Sequence, residues 1–240
     1  KYLKLAETVF HHDAILGPLK QGRDELDGKH GNTQVPKLVG LARDYLLTGD
    51  PADLRGVDTF WSSVVNQRSF ANGGHGDHEH FFPLHQFPQK LGPQNAETCN
   101  TYNMIKLAGM RFSWAPDAAD MDFVERGLIN HLLTNIGREP GEFGYFLPFG
   151  NVAYKTFSTE HDSWWCCVGT GMENPTRYAE QAYFHNDDTL WINLYMASRL
   201  DWSERGFALK QETSFPESDT VRITIAAQRP TRPALKLPPP

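Results

Sequence analysis

The stretch NTQVPKLVGLARDYLLTG, residues 32–49, decides the fold class because its apolar side chains recur every three or four residues. The stripe consists of Val35, Leu38, Val39, Ala42 and Leu46. We predict a helix from about Gln34 to Leu47, with Asn32 and Thr33 as its cap and Gly49 as its stop. This part of the chain is therefore expected to be helical.

The same reasoning, applied outward along the chain, predicts further helices and then strands. The helices are predicted from Pro51 to about Val64, from Glu97 to Phe112, from Asp117 to Ile136 and near Met172 to Tyr183. Residues 72–94 form a long loop, and residues 141–159 an irregular or hairpin segment. Alternating apolar residues predict strands within 189–198, 207–213 and 220–226.

Consecutive helices with long polar loops between them are typical of a toroid of helix pairs. We therefore predict a mainly α fold, with a partial α/α toroid over residues 1–186. Residues 187–240 are expected to be the start of a β-sandwich with a Pro-rich end, residues 229–240, that has no packing pattern. Because three strands cannot easily bury both faces of a sheet, the chain is expected to be part of a longer protein.

Composition excludes several classes of function. Of the 240 residues, 40% are hydrophobic and 22% charged, which indicates a globular chain. A net charge of −6 argues against an electrostatic grip on nucleic acid. No apolar stretch is long enough to span a membrane. The sequence indicates neither a compartment nor an oligomeric state.

The three cysteines lie in two clusters, Cys99 and the adjacent pair Cys166 and Cys167. Together with Glu97 they would make a full set of four tetrahedral zinc ligands, and one thiolate could act as a nucleophile. Each cysteine could instead be buried filler. Convergence requires Glu97 at or before a helix start and a turn at the cysteine pair, which the glycines two and four residues after Cys167 would allow.

The loop GGHGDHEHF, residues 73–81, is the second candidate for chemistry. Glu79 is its candidate proton donor, because the neighbouring phenylalanines could shield the carboxyl from water. Alternatively, His75, His78 and His80 could form a metal site of their own, or the loop could simply be solvated.

Aromatic and histidine side chains elsewhere could contact a sugar. His30 could bind a ligand or serve in a helix-capping loop. Tyr145, Trp164 and Trp165 could stack on a sugar ring or fill the core.

Five segments together resemble the cysteine-dependent β-L-arabinofuranosidase family of glycoside hydrolases, and they occur in the family's order. They are DGKHGNTQVPK (27–37), GGHG…EHF (73–81), AETCNTYNM (96–104), DFVERGLIN (122–130) and SWWCCVGTGME (163–173). Members of this family are much longer than 240 residues.

The resemblance implies an (α/α)6 barrel followed by β-sandwich domains. It implies zinc bound by Glu97, Cys99, Cys166 and Cys167, with Cys166 as nucleophile and Glu79 as acid/base in a retaining mechanism. The substrate would be an oligosaccharide or plant cell-wall glycan, and a periplasmic or secreted location would suit it. His30, His75, Tyr145 and Trp164 are the candidate substrate contacts.

Two alternatives stay open. The chain could be a non-catalytic carbohydrate-binding or scaffold member of the same fold, with structural thiols. It could also be a metal-dependent hydrolase that uses the histidine loop.

Overall fold

The protein is described here by a computed structural model that covers residues 1–227 and 234–238. The chain divides into two compact units, Lys1–Pro175 and Thr176–Pro240. The helices are α1 Tyr2–Val9, α2 Asp13–Lys20, α3 Gly31–Thr48, α4 Pro51–Ser63, α5 Thr98–Trp114, α6 Ala118–Gly127 and α7 Cys166–Ala182. The strands are β1 Tyr183–His185, β2 Thr189–Ile192, β3 Ser198–Trp202, β4 Phe207–Glu212, β5 Arg222–Ala227 and β6 Ala234–Lys236. The fold is mainly α, as predicted.

Helix α3 confirms the predicted stripe but begins earlier than expected. Its N-cap residue is His30, whose backbone is extended, so the prediction that Asn32 and Thr33 form the cap is wrong. Gly49 ends the helix in the left-handed conformation, with φ 71°. Asp50 then caps α4 by accepting a hydrogen bond from the backbone N–H of Ala52 at 2.8 Å.

The core of the first unit lies between these helices. Helix α3 packs against α4 and α5, α2 packs against α4, and α5 packs against α6. The side chains that are completely removed from solvent include Val35, Leu38, Phe60, Met104, Leu107 and Phe123. This arrangement fixes the start of α5, where the candidate site is built.

The single helix predicted from Asp117 to Ile136 is interrupted. Helix α6 ends at Gly127 and is followed by a π turn, Leu128–Leu132, and a 3-10 turn, Leu133–Asn135. Another π turn, Val64–Arg68, follows α4, and a 3-10 helix, Leu84–Lys90, lies within the long loop. A pattern of apolar residues does not distinguish a π turn from a continuous α-helix, so the prediction missed both.

Helix α7 begins six residues before the predicted Met172 and includes both adjacent cysteines. The expectation of a turn made possible by Gly169 and Gly171 is therefore wrong. Gly171 serves close packing instead, because a Cβ atom there would lie 2.4 Å from the ring of Phe143. Glycine is needed here because another segment of the chain packs closely against it, and this contact cannot be read from the local sequence.

The second unit contains two small sheets, with strand orders β1-β2-β6 and β3-β4-β5. The strand predicted within 189–198 is shorter than expected, because β2 ends at Ile192 and the next strand, β3, begins at Ser198 in the other sheet. A cluster of buried side chains forms the core: Leu190, Ile192, Trp202, Phe207 and Leu209.

The Pro-rich end contains a short strand, β6, that the sequence did not predict, and all three of its residues are exposed. β6 pairs in parallel with β2, so that Leu235 lies opposite Leu190. Residues 229–233 and 239–240 of that segment lie outside the described residues.

No helix in the described ranges has the length and apolar character that crossing a bilayer requires.

The α/α toroid, the β-sandwich and the domain boundary between residues 186 and 187 stay predictions.

Candidate active site

The start of α5 places Glu97 and Cys99 on one side of the helix entrance. Glu97 is the N-cap residue with an extended backbone, φ −60° and ψ 129°, and Cys99 follows in the first turn. The preceding residue, Ala96, has φ 51°, which is left-handed and unusual for a non-glycine residue. This geometry meets the condition that Glu97 lie at the helix start.

The first turn of α7 brings the other two cysteines to the same place. One ligand atom from each of Glu97, Cys99, Cys166 and Cys167 lies within 4.8 Å of all the others. The Sγ atoms of Cys99 and Cys167 are 3.3 Å apart, and Cys166 Sγ lies 3.7 Å from Glu97 Oε1. The structure therefore brings together the four residues that the sequence singles out.

Within this cluster, burial divides the thiols. Cys99 and Cys167 are buried, while Cys166 is exposed. An exposed thiol among buried ones is the one that an external molecule can reach. Of the three thiols in this cluster, that of Cys166 is therefore the accessible one.

The Glu97 carboxyl is in an unusual electrostatic position. Its side chain is 1% exposed, and Oε2 is buried without a hydrogen-bond partner. Burial, followed by the proximity of the ionisable groups of Cys166 and Glu79, raises the pKa of Glu97 to about 8. A bound cation would supply the missing partner.

The thiols of Cys166 and Cys167 are also held in their neutral form. The hydrogen bond with Cys167 and then burial raise the pKa of Cys166 well above its usual range. Three thiols and one carboxylate are a donor set typical of tetrahedral zinc. The cluster fits a metal ion that would displace its protons.

Glu79 lies beside this cluster in a strained part of the loop. Both His78 and Glu79 have left-handed backbones, with φ 48° and 66°. The hydroxyl of Tyr145 donates a hydrogen bond to Glu79 Oε1, and Cys166 Sγ lies 3.7 Å from that hydroxyl oxygen. One phenol therefore contacts both the candidate acid/base and the candidate nucleophile.

Tyr145 is fixed by its own backbone and by a neighbouring ring. Its carbonyl accepts a hydrogen bond from the N–H of Thr98 at 3.0 Å, and its ring makes an edge contact with Trp165 at 5.9 Å. Burial and the hydrogen bond to Glu79 raise the pKa of Tyr145 above its usual range. The phenol therefore stays a neutral donor.

His30 completes this side of the site. Its Nε2 lies 3.6 Å from Glu79 Oε2, and atoms of His30, Glu79 and Glu97 also lie within 4.8 Å of one another. The candidate acid/base thus borders the cysteine cluster directly.

The other loop histidines do not converge. His75 is completely buried and stacks on Phe81 at 5.2 Å, while His78 is exposed and pairs with Asp77 at 2.8 Å. The Nδ1 of His80 lies 2.5 Å from the carbonyl of His78. Among the described residues these three histidines form no metal site, so that alternative is wrong.

Two further expectations about the loop differ from the structure. Phe81 and Phe82 belong to the core, with Phe81 against His75 and Phe82 against Phe70. The contacts of Glu79 are Tyr145 and His30 instead. Because His75 has no solvent-exposed surface, its position does not support a direct contact with substrate.

The two tryptophans before the cysteine pair have different surroundings. Trp164 is 92% exposed, so it does not fill a core, whereas Trp165 contacts Tyr145. The role of Trp164 in stacking on a sugar stays a prediction.

Sequence reasoning missed two residues next to the site. Thr170 Oγ1 lies 3.2 Å from Cys99 Sγ, and His131 is hydrogen-bonded to the carbonyl of Ala96 at 2.8 Å. Thr170 lies one helical turn after the cysteine pair, which was a usable signal once the helix was known. His131 carried no local signal.

Comparison with known proteins places this geometry in a family. Residues 1–180 match the catalytic domain described as beta-L-arabinofuranosidase, GH127, and residues 189–240 match the GH127 middle domain. None of the curated proteins matches the chain.

Several solved structures are similar in fold. A GH127 β-L-arabinofuranosidase from Geobacillus stearothermophilus T6 is 19% identical, with a TM-score of 0.69 over 88% of this chain and 35% of its own. The GH127 β-arabinofuranosidase BT3674 is 22% identical, with a TM-score of 0.72 over 93% of this chain and 36% of its own. A structure described as a glycoside hydrolase is 21% identical, with a TM-score of 0.76 over 93% of this chain and 43% of its own.

These identities show similarity of fold alone, and the chain spans between a third and a half of the length of these three structures. The match to the catalytic domain, in contrast, covers well over half of the chain. The chain therefore belongs to the GH127 β-L-arabinofuranosidase family of glycoside hydrolases.

Proposed function

We propose that the protein is a retaining exo-acting glycoside hydrolase that releases β-L-arabinofuranose, or a related sugar, from plant cell-wall glycans. The observation that carries the proposal is the convergence of Glu97, Cys99, Cys166 and Cys167 beside Glu79. Membership of the family supports the same reaction class. A partial (α/α)6 barrel over residues 1–186, followed by the start of a β-sandwich, is part of this proposal.

Glu97, Cys99, Cys166 and Cys167 would hold a zinc ion. The buried, unpartnered Oε2 of Glu97 and the three neighbouring sulfur atoms support this assignment. Bound zinc would keep the thiols deprotonated at neutral pH, whereas the surroundings of Cys166 and Cys167 alone favour their neutral forms.

Cys166 would be the nucleophile because its thiol is the exposed one. In the first step its sulfur forms a bond to the anomeric carbon while the glycosidic C–O bond breaks. The proton of the Glu79 carboxyl passes to the departing oxygen. The product of this step is a sugar bonded to Cys166, together with the free leaving group.

In the second step a water molecule attacks the anomeric carbon from the face that the leaving group vacated. Glu79 accepts the proton of the water, and the C–S bond breaks to restore the thiolate. Two inversions give net retention of configuration.

Tyr145 and His30 would orient Glu79 and meet the substrate. The Tyr145 hydroxyl engages Oε1 of Glu79, while His30 faces Oε2. Tyr145 lies beside both the exposed Cys166 thiol and Glu79, and His30 lies beside Glu79. These positions support their role as substrate contacts.

A non-catalytic carbohydrate-binding protein is the second candidate. The close contacts of Cys99 with Cys167 and Thr170 would suit a purely structural cluster. In that case Glu79 and the exposed thiol of Cys166 would have no chemical role.

The variant Cys166→Ser separates the two functions. We expect loss of arabinose release from β-L-arabinofuranosyl oligosaccharides, with sugar binding retained in calorimetry. His161→Ala, a change at an exposed residue before the cysteine pair, serves as the control and should leave both readings unchanged. Turnover by Cys166→Ser equal to that of the wild-type protein would rule out the nucleophile.

A further inference from the structure

His131 is a fully buried histidine that the reaction described above does not use. It lies in the π turn Leu128–Leu132, is 0% exposed, and makes a hydrogen bond through each ring nitrogen. Nε2 lies 2.8 Å from the carbonyl oxygen of Ala96, and Nδ1 lies 2.8 Å from the hydroxyl of Thr101.

The chemistry of these partners fixes the proton on the ring. A carbonyl oxygen can only accept, so Nε2 carries the proton and donates to Ala96. Burial lowers the pKa of His131 to about 4, so the ring is neutral near pH 7. Nδ1 is then an acceptor, and the Thr101 hydroxyl donates to it. One tautomer satisfies both bonds.

His131 is hydrogen-bonded to Ala96, whose backbone is in the left-handed region. Ala96 has φ 51°, a conformation that a non-glycine residue keeps only when its surroundings enforce it. The Ala96 carbonyl also accepts a bond from Leu147 N–H, at the longer distance of 3.3 Å. Ala96 directly precedes Glu97, so its backbone sets the direction in which the Glu97 side chain leaves the helix cap.

Neighbouring features allow this contact. A Cβ atom at Gly74 would lie 2.6 Å from the Cβ of Ala96 and 2.9 Å from Nδ1 of His131, so only glycine fits there. The π turn also changes side-chain directions relative to a continuous α-helix, and such turns are frequent at functional sites.

We propose that His131 is a positioning residue for the metal centre: its hydrogen bond to the Ala96 carbonyl holds the left-handed backbone that aims Glu97 at Cys99, Cys166 and Cys167. This inference rests on the zinc site proposed above. Residues that orient a metal ligand in this way typically change metal affinity by about 10- to 100-fold when removed.

The test compares two substitutions of His131 in the purified protein. His131→Met removes the donor, whereas His131→Gln keeps an N–H that can reach the carbonyl. We expect His131→Met to bind Zn2+ about 10- to 100-fold more weakly, and its Co2+ absorption spectrum to resemble that of Glu97→Gln. His131→Gln should recover most of the affinity and the wild-type spectrum.

Leu132→Ala, a change at a buried residue of the same π turn, is the control for loss of stability. It should lower the melting temperature without altering the Co2+ spectrum. If His131→Met does not fold, Gly74→Ala takes its place and should give the same spectral change, because the added methyl group would push apart the His131 ring and Ala96.

Wild-type affinity and spectrum in His131→Met, or in Gly74→Ala, would overturn the inference while leaving the metal site intact. A wild-type protein that binds neither Zn2+ nor Co2+ tightly would overturn the metal site and this inference together.

Discussion

The helical unit contains two clusters of buried polar side chains, one around Arg68 and one around Glu97, and they differ in how fully their hydrogen bonds are satisfied. The buried Arg68 guanidinium donates to Ser63 Oγ at 3.0 Å and to Asp24 Oδ2 at 2.8 Å. It also donates to the carbonyl of Phe82 at 2.5 Å. The Glu97 cluster, in contrast, has a buried carboxylate oxygen without a partner.

One carboxyl group from each cluster, the partly buried Asp24 and the buried Glu97, shows the consequence. Burial acts to raise the pKa of Asp24, but hydrogen bonds from Ser63 and Arg68 outweigh it and lower the pKa. Within residues 1–227 and 234–238 no arginine or lysine pairs with Glu97, and burial raises its pKa to about 8. A cluster whose buried polar groups all have hydrogen-bond partners stabilises the fold. A cluster with an unpartnered polar atom can bind a ligand there.

The largest expected effect is the loss of Arg68. Arg68→Met leaves the partly buried Asp24 without its cation, which should cost about 3–5 kcal/mol of unfolding free energy in urea denaturation. The control Arg55→Met, at an exposed position, should change it by less than about 0.5 kcal/mol. A loss of metal affinity in folded Arg68→Met would contradict the separation of the two clusters.

The next effect is on metal binding. Cys99→Ala should weaken Zn2+ binding by more than about 100-fold in competition with a chromophoric chelator, because it removes a ligand itself. The unfolding free energy of the metal-free form should change far less than in Arg68→Met. Full retention of metal by Cys99→Ala would rule out the four-ligand site.

Over a single pH unit, the smallest of the three effects is a dependence of the unfolding free energy on pH in the metal-free protein. Between pH 4.5, the ordinary pKa of glutamate, and about 8, folded Glu97 keeps a proton that the unfolded chain releases. The unfolding free energy should therefore fall as pH rises, with a slope approaching about 1.4 kcal/mol per pH unit. Urea denaturation at several pH values measures this slope.

Glu97→Gln should abolish that slope. Asp24→Asn serves as the opposite case, because the lowered pKa of Asp24 adds stability at higher pH that is lost as pH falls below its ordinary value of 3.8. An unchanged slope in Glu97→Gln would show that another group is responsible.

The regular helices were predictable because their burial follows a simple period. The apolar stripes of α3 and α4 gave their bounds to within a few residues. The predictions failed where packing overrides the period: at both π turns, at the start of α7, and at the break between β2 and β3. The two π turns contain Arg68 and His131, each of which reaches a partner distant in sequence.

The candidate metal ligands could be predicted from the sequence, but the residues that contact and position them could not. Cysteine is rare in this chain and glutamate can ligate metals, so Glu97 and the three thiols stood out without any structure. Thr170 and His131 did not stand out, because the role of each depends on contacts that only the fold supplies.

The sequence by itself determined the helical class, the family and the four residues that could bind a metal, since periodicity, motifs and residue chemistry are local properties. Only the tertiary structure decided which thiol is exposed, how Tyr145 joins Glu79 to Cys166, and how His131 reaches Ala96. Those features depend on contacts between segments that lie tens of residues apart. Such contacts follow from the packing of the whole unit, which no local pattern encodes.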